Sequence, residues 1–114
     1  MKKRTKKLQE ADREVFKLQA AICKAFASPV RIQLLDMLGK GERSVTELHR
    51  ELGVTRTNLS QHLSVLRAAG VVETRREGKQ TYCSLALPEV RQACTLIGDV
   101  LRAHIRERRK IVLP

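Results

Sequence analysis

Aromatic side chains are nearly absent, with one tyrosine, two phenylalanines and no tryptophan in 114 residues. Proteins that hold single strands stack bases on aromatic platforms, so that mode of binding fits poorly. No apolar run approaches the roughly 18 residues of a membrane span. The opening Met1-Lys2-Lys3-Arg4-Thr5-Lys6-Lys7 is basic, but no apolar stretch follows it as in a secretory signal. The expected location is therefore the cytoplasm, without a membrane partner. Cysteine is sparse and odd in number: Cys23, Cys83 and Cys94, with no Cys-x-x-Cys spacing. A disulfide framework and a structural zinc knuckle are both disfavoured. The chain also lacks a glycine-rich phosphate loop, a nucleophile with an ordered base and a pair of acid–base carboxylates, so an enzyme is not expected. No repeat or Ser/Gly linker divides it, and residues 1–114 read as one domain.

Basic charge is what the chain has in excess. Twenty-three Lys and Arg against twelve Asp and Glu give a formal net charge of +11 and a pI near 10.3. That balance favours a polyanionic partner, because each phosphate neutralised releases condensed counterions.

Behind the basic arm of residues 1–7, Leu8, Ala11, Val15, Leu18, Ile22 and Ala25 recur at steps of three and four, as on one stripe of a helix over residues 8–27. Ser28-Pro29 supplies an N-cap and a first helical residue for a second helix, about Pro29 to Leu38, with Ile32, Leu35 and Leu38 inward. Gly39-Lys40-Gly41 stops it. Ser44-Val45-Thr46-Glu47 reads as a capping box for a short helix that buries Val45, Leu48 and Leu52. In Gly53-Val54-Thr55, glycine permits the reversal, Val54 plugs the angle and Thr55 caps the next helix, which turns Leu59, Leu63 and Leu66 inward and ends at Ala69-Gly70. Helix, short turn, helix over residues 44–69 is the helix-turn-helix pattern. Residues 71–87 then alternate around Glu77-Gly78-Lys79, as a hairpin does. A last helix over 88–111 opens at Pro88-Glu89 and carries Val90, Cys94, Ile97 and Leu101 on one face. The fold class expected is mainly α with a small β-hairpin.

The second helix of the pair exposes Thr55, Arg56, Thr57, Asn58, Ser60, Gln61 and His62 on its N-terminal half. Arginine bonds guanine edges bidentately, Asn and Gln bond adenine, and Ser or Thr bond phosphates or bases. Thr57, Asn58 and Ser60 are indifferent helix formers, so helix propensity does not explain them. Around the hairpin tip stand Arg75, Arg76, Lys79 and Gln80, within reach of phosphates or the adjacent minor groove.

Three segments carry a family resemblance: Ala27-Ser28-Pro29-Val30-Arg31-Ile32-Gln33-Leu34-Leu35, Ser44-Val45-Thr46-Glu47-Leu48, and Leu59-Ser60-Gln61-His62-Leu63-Ser64-Val65-Leu66-Arg67-Ala68-Ala69-Gly70-Val71-Val72. Together with Arg76-Glu77-Gly78-Lys79 and the following Tyr82, they resemble the ArsR/SmtB family of winged helix-turn-helix repressors. The resemblance implies a homodimer joined through the first and last helices. It also implies a palindromic double-stranded operator, released when an effector binds.

The family's metal sites do not carry over. Ser44 and Thr46 stand where arsenic, cadmium and lead sensors have Cys-Val-Cys, and Leu87, Glu89, Val100 and Ala103 align with the zinc ligands of the last helix. No cofactor is required on this reading, and His49, His62 and His104 are expected to face solvent, DNA and the dimer interface respectively. The thiols remain as sensor candidates. Cys23 and Cys94 lie on helices expected to pack together, and Cys83 lies in the second hairpin strand. Relatives sensing arsenite or reactive sulfur through scattered cysteines make those two effectors the expectation. Arsenite would need all three thiolates, and a dithiol switch only two. Two rivals stand beside this: a constitutive repressor or nucleoid-type protein with inert core cysteines, and a winged helix that binds protein.

Overall fold

The computed structural model describes the backbone of residues 2–112 and the side chains of residues 9–108. In chain order the elements are α1 (Lys2–Phe26), α2 (Pro29–Gly39), β1 (Arg43–Ser44), α3 (Val45–Leu52), α4 (Arg56–Ala68), β2 (Val72–Glu77), β3 (Gln80–Leu85) and α5 (Pro88–Val112). The side chains of the expected basic arm, and those of Arg109 and Lys110, lie outside the described residues.

Local chemistry sets most boundaries. Ser28 Oγ accepts from the Arg31 amide at 3.4 Å, Pro29 opens α2, and the Thr55 hydroxyl accepts from the Asn58 amide at 3.1 Å to cap α4. Gly53 ends α3 at φ +70°, with its N–H on the His49 carbonyl at 3.3 Å. A side chain there would be strained. The hairpin closes through Gly78 at φ +61°, between Glu77 and its strand partner Gln80.

Strand β1 was not expected. Its two residues pair antiparallel with Cys83 and Tyr82, so the hairpin becomes a three-stranded sheet in the order β1-β3-β2. This pairing also changes the capping box. The Ser44 hydroxyl does accept the Glu47 amide at 3.1 Å, but Glu47 returns its carboxylate to that hydroxyl at 3.2 Å. Ser44 is paired in the strand, so the reciprocal bond goes to its side chain.

One core joins the elements. Leu34 and Leu35 of α2, Leu48 of α3, Leu59 and Leu66 of α4 and Cys83 of β3 are all fully enclosed. Ile32, expected inside, is 43% exposed, while Leu34 is sealed. Helix α2 packs against α1, α4, α5 and β3, so its buried arc is wide and lies elsewhere. Val45, Leu52 and Val54 are half-buried against the core.

The radius of gyration is 18.2 Å, against roughly 13–14 Å for a compact chain of this length. Helices α1 and α5 project from the core and leave large apolar side chains uncovered: Val15, Phe16, Leu18 and Ile22 on α1, and Leu96, Ile97, Val100 and Leu101 on α5. Of the seam read on α1, only Ala25 is buried within the chain, and the Leu8 side chain lies outside the described residues.

Candidate nucleic-acid interface

Helix α4 is fastened by Leu59, Leu63 and Leu66, which fixes the opposite arc towards solvent. Thr55, Arg56, Thr57, Asn58, Ser60 and Gln61 are all exposed there. The sequence has no acidic residue between Glu51 and Glu73, and the first turn of α4 carries no acid. No acid in the first turn of α4 therefore offsets the positive end of its dipole, a favourable setting for a phosphate.

Between α3, α4 and the sheet lies a polar cleft of about 290 Å³, where Arg56 and Ser60 face Lys79 and Gln80 across Thr46, Arg67, Thr74 and Thr81. The Thr46 hydroxyl donates to the Gln80 side-chain Oε1 at 3.4 Å, and Arg67 donates to the Thr74 hydroxyl at 3.5 Å and the Ser64 hydroxyl at 3.3 Å. Sequence reading missed Arg67. Its spacing of seven from Ser60 and eleven from Arg56 sets all three on one stripe and was the available signal.

The wing cations divide into two kinds. Arg76 and Lys79 are exposed and have no ion pair among the described residues. Arg75 is engaged instead. It donates to both Glu42 oxygens at 3.0 and 2.8 Å and to Glu77 at 2.7 Å, and its guanidinium lies 4.6 Å from the Tyr82 ring centre. The Arg75 hydrogen bonds hold the Glu42 carboxyl below the usual carboxylate range, with the arginine's charge adding and desolvation opposing. A lowered folded pKa contributes stability above the unfolded value and loses it as pH falls through the folded one. The protection of β2 amides, taken relative to their intrinsic exchange rates, is expected to be full at neutral pH and to fall progressively as pH drops from the ordinary carboxylate value through the lowered Glu42 one. Glu42→Gln should abolish that acid dependence; an unchanged profile would remove the pair as the anchor of the wing.

His62 sits half-buried against α2. Its Nδ1 lies 3.2 Å from an Arg31 guanidinium nitrogen, and the same guanidinium donates to the Ala25 and Lys24 carbonyls at the end of α1. Guanidinium can only donate, so Nδ1 accepts and the ring proton is on Nε2. Arg31 thus ties α1, α2 and α4 together. His49 is not solvent-facing: the residue is half-buried and its Nδ1 is enclosed with no hydrogen-bond partner among the described residues, because short α3 is wedged against β1 and β3. His104 is exposed in the single chain.

The three cysteines are free and differ in exposure. Cys23 is exposed, Cys94 is half-buried and Cys83 is enclosed in the core. Burial pushes the Cys83 thiol up, with Arg67 opposing and Glu42 adding; burial and then Asp36 push Cys94 up. Among the described residues no three His, Cys, Asp or Glu side chains are grouped as metal ligands. Nor is any described helix long and apolar enough to cross a membrane.

Comparison with known proteins agrees with this architecture. A family model described as a helix-turn-helix domain matches residues 26–75. A helix-turn-helix-type transcriptional regulator of Mycobacterium tuberculosis is 39% identical, and its crystal structure superposes with a TM-score of 0.77 over 82% of this chain and 95% of that one. The biofilm growth-associated repressor of Xylella fastidiosa is 42% identical over 77% of each chain. A homodimeric winged helix-turn-helix DNA-binding domain from Mycobacterium bovis, described as a possible ArsR-family regulator, gives a TM-score of 0.78 at 32% identity, covering 84% of this chain and 89% of that one. With a recognition-type helix, a basic wing and relatives of this similarity over most of its length, the chain belongs to the ArsR/SmtB-type winged helix-turn-helix transcriptional regulators.

Proposed function

We propose that the protein is a homodimeric, operator-binding transcriptional repressor and not an enzyme. The observation that carries this is the exposed, acid-free N-terminal half of α4 standing beside a cleft lined by Arg56, Arg67 and Lys79. Arg56, Asn58 and Gln61 read base edges in the major groove, and Thr55, Thr57 and Ser60 bond phosphates or bases. The Nε2–H of His62, Arg76, Lys79 and Gln80 position the duplex, and Arg75 shapes the wing without touching DNA. The repressor direction follows the similarity to the biofilm growth-associated repressor.

Dimerisation follows from α1 and α5. The uncovered Val15, Phe16, Leu18 and Ile22 of α1 and Leu96 and Val100 of α5 suit burial against a second copy, and the M. bovis domain is homodimeric. Two recognition helices about 34 Å apart would then meet successive major grooves of a palindrome.

A thiol-directed effector, a reactive sulfur species, acts as a dithiol switch through Cys23 and Cys94, on the first and last helices; arsenite, which needs three thiolates, is not served by these two. The sulfur species must favour the low-affinity dimer by a coupling of about 1–3 kcal/mol. Cys83 is excluded from that role by its enclosure. On reduced protein, iodoacetamide should therefore label Cys23 fastest and leave Cys83 unmodified until unfolding. Labelling of Cys83 in the folded protein would reverse this assignment.

The test is fluorescence anisotropy with DNA from upstream of the protein's own gene, with and without tetrasulfide, and with Cys23→Ser and Cys94→Ser. Specific binding that weakens tenfold or more, about 1.4 kcal/mol, only when both cysteines are present supports the whole reading. Specific binding unchanged by every treatment supports a constitutive repressor with inert thiols. Absence of specific binding, or activation of the bound promoter in transcription, overturns the repressor.

A further inference from the structure

Helices α2 and α5 diverge around a cavity of about 600 Å³, remote from the α4 and wing surface. Its volume is within the roughly 300–1,000 Å³ of small-molecule sites, and such sites combine apolar walls with a few placed polar groups. Phe26, Ile32, Leu35, Ile97 and Leu101 supply the apolar walls. This accounts for Ile32, whose exposure has no role in the core.

The charges around the cavity distinguish the ligand. Lys40, Arg91 and Arg102 line it against a single acid, Asp36. Asp36 is already 3.9 Å from Lys40, and Arg102 is bound to Asp99 at 2.6 Å. The Arg91 guanidinium has no hydrogen bond or ion pair among the described residues. Its stem nevertheless lies along the wall, since a Cβ on Gly39 would sit 3.6 Å from Arg91 Cγ. An unanswered cation at the edge of an apolar cavity matches a molecule with a carboxylate on a hydrocarbon body.

A second copy of the chain need not fill this space. Leu96 and Val100 are exposed on α5 but do not line the cavity, so a dimer seam has its own apolar stripe one residue round the helix from Ile97 and Leu101.

We propose that the α2–α5 cavity binds an amphipathic monocarboxylate, its body between Ile32, Leu35, Ile97 and Leu101 and its carboxylate on Arg91. The site goes beyond the thiol reading and requires no thiol, although Cys94 is on its wall. It gives the regulator a reversible, non-covalent ligand site.

Titration calorimetry on the full-length dimer tests this with octanoate, octanol and octylammonium, which share one body and differ in head group. No DNA is needed, so failure here is separable from failure of operator binding. Octanoate is expected to bind at least tenfold more tightly than octanol, and octylammonium not to bind. Arg91→Gln should lower octanoate affinity to the octanol level while keeping the helical circular dichroism, and Gln92→Ala, exposed and off the cavity wall, should leave it unchanged. Absence of octanoate binding, equal affinity for the three probes, or indifference to Arg91→Gln overturns the proposal.

Discussion

Replacing Leu66 by alanine is expected to destabilise the protein by about 2–5 kcal/mol. Leu66 is wholly enclosed on the inner face of α4, and the core around it has Leu34, Leu35, Leu48 and Leu59 equally sealed. Truncation removes buried methyl groups and leaves a cavity that such a surround closes only in part. Domains of this size are held by only about 5–15 kcal/mol, so the loss is a large share of the total. A melting temperature lowered by roughly 8–40 °C follows, at about 4–8 °C per kcal/mol. Val65→Ala, one position along the same helix and 41% exposed, is the control. A surface change of that kind is expected to stay within about 0.5 kcal/mol. Equal melting shifts for the two variants, followed by circular dichroism, would mean that α4 is not held to the core by this face.

Neutralising Arg56, Arg67 and Lys79 together should weaken DNA binding by orders of magnitude and flatten its salt dependence. Each phosphate left without its cation reduces the slope of log K against log salt by about 0.9, so three such phosphates reduce it by roughly 3 units. Asn58→Ala and Gln61→Ala should behave differently. Each removes base recognition worth about 1–3 kcal/mol, which lowers operator affinity up to about a hundredfold while non-specific binding and the salt slope stay as they were. Anisotropy titrations at several salt concentrations, on operator and scrambled duplexes, separate the two classes. Arg75→Ala should leave the slope unchanged, because Glu42 and Glu77 already answer its charge. A fall of nearly one unit in that variant would return Arg75 to the DNA-binding surface.

The difference between Arg75 and Arg76 shows where sequence reasoning stops. The two are adjacent, chemically identical and equally plausible on a hairpin. Glu42, which decides between them, is 33 residues away from Arg75 and faces it only after folding. The same distance problem hid the pairing of Arg31 with His62, 31 residues apart, and made His62 read as purely DNA-facing. Strand β1 had no legible signal at all, since two residues carry no periodicity and pair only because β3 passes beside them.

By itself the sequence determined the elements whose cause is local. Serine and threonine caps at residues 28, 44 and 55, the reversal at Gly53, the hairpin at Gly78, the leucine stripe of α4 and the uncovered stripes of α1 and α5 all depend on neighbours within a few residues. So do the exposed polar face of α4 and the positive charge beside it. Tertiary structure alone decided which cation is already paired, that Cys83 is enclosed while Cys23 is open, that Leu34 rather than Ile32 enters the core, and that α2 and α5 part around a cavity with a lone Arg91 at its edge. Burial and pairing are properties of what several distant segments bring to one place, whereas a cap or a turn is complete within its own few residues.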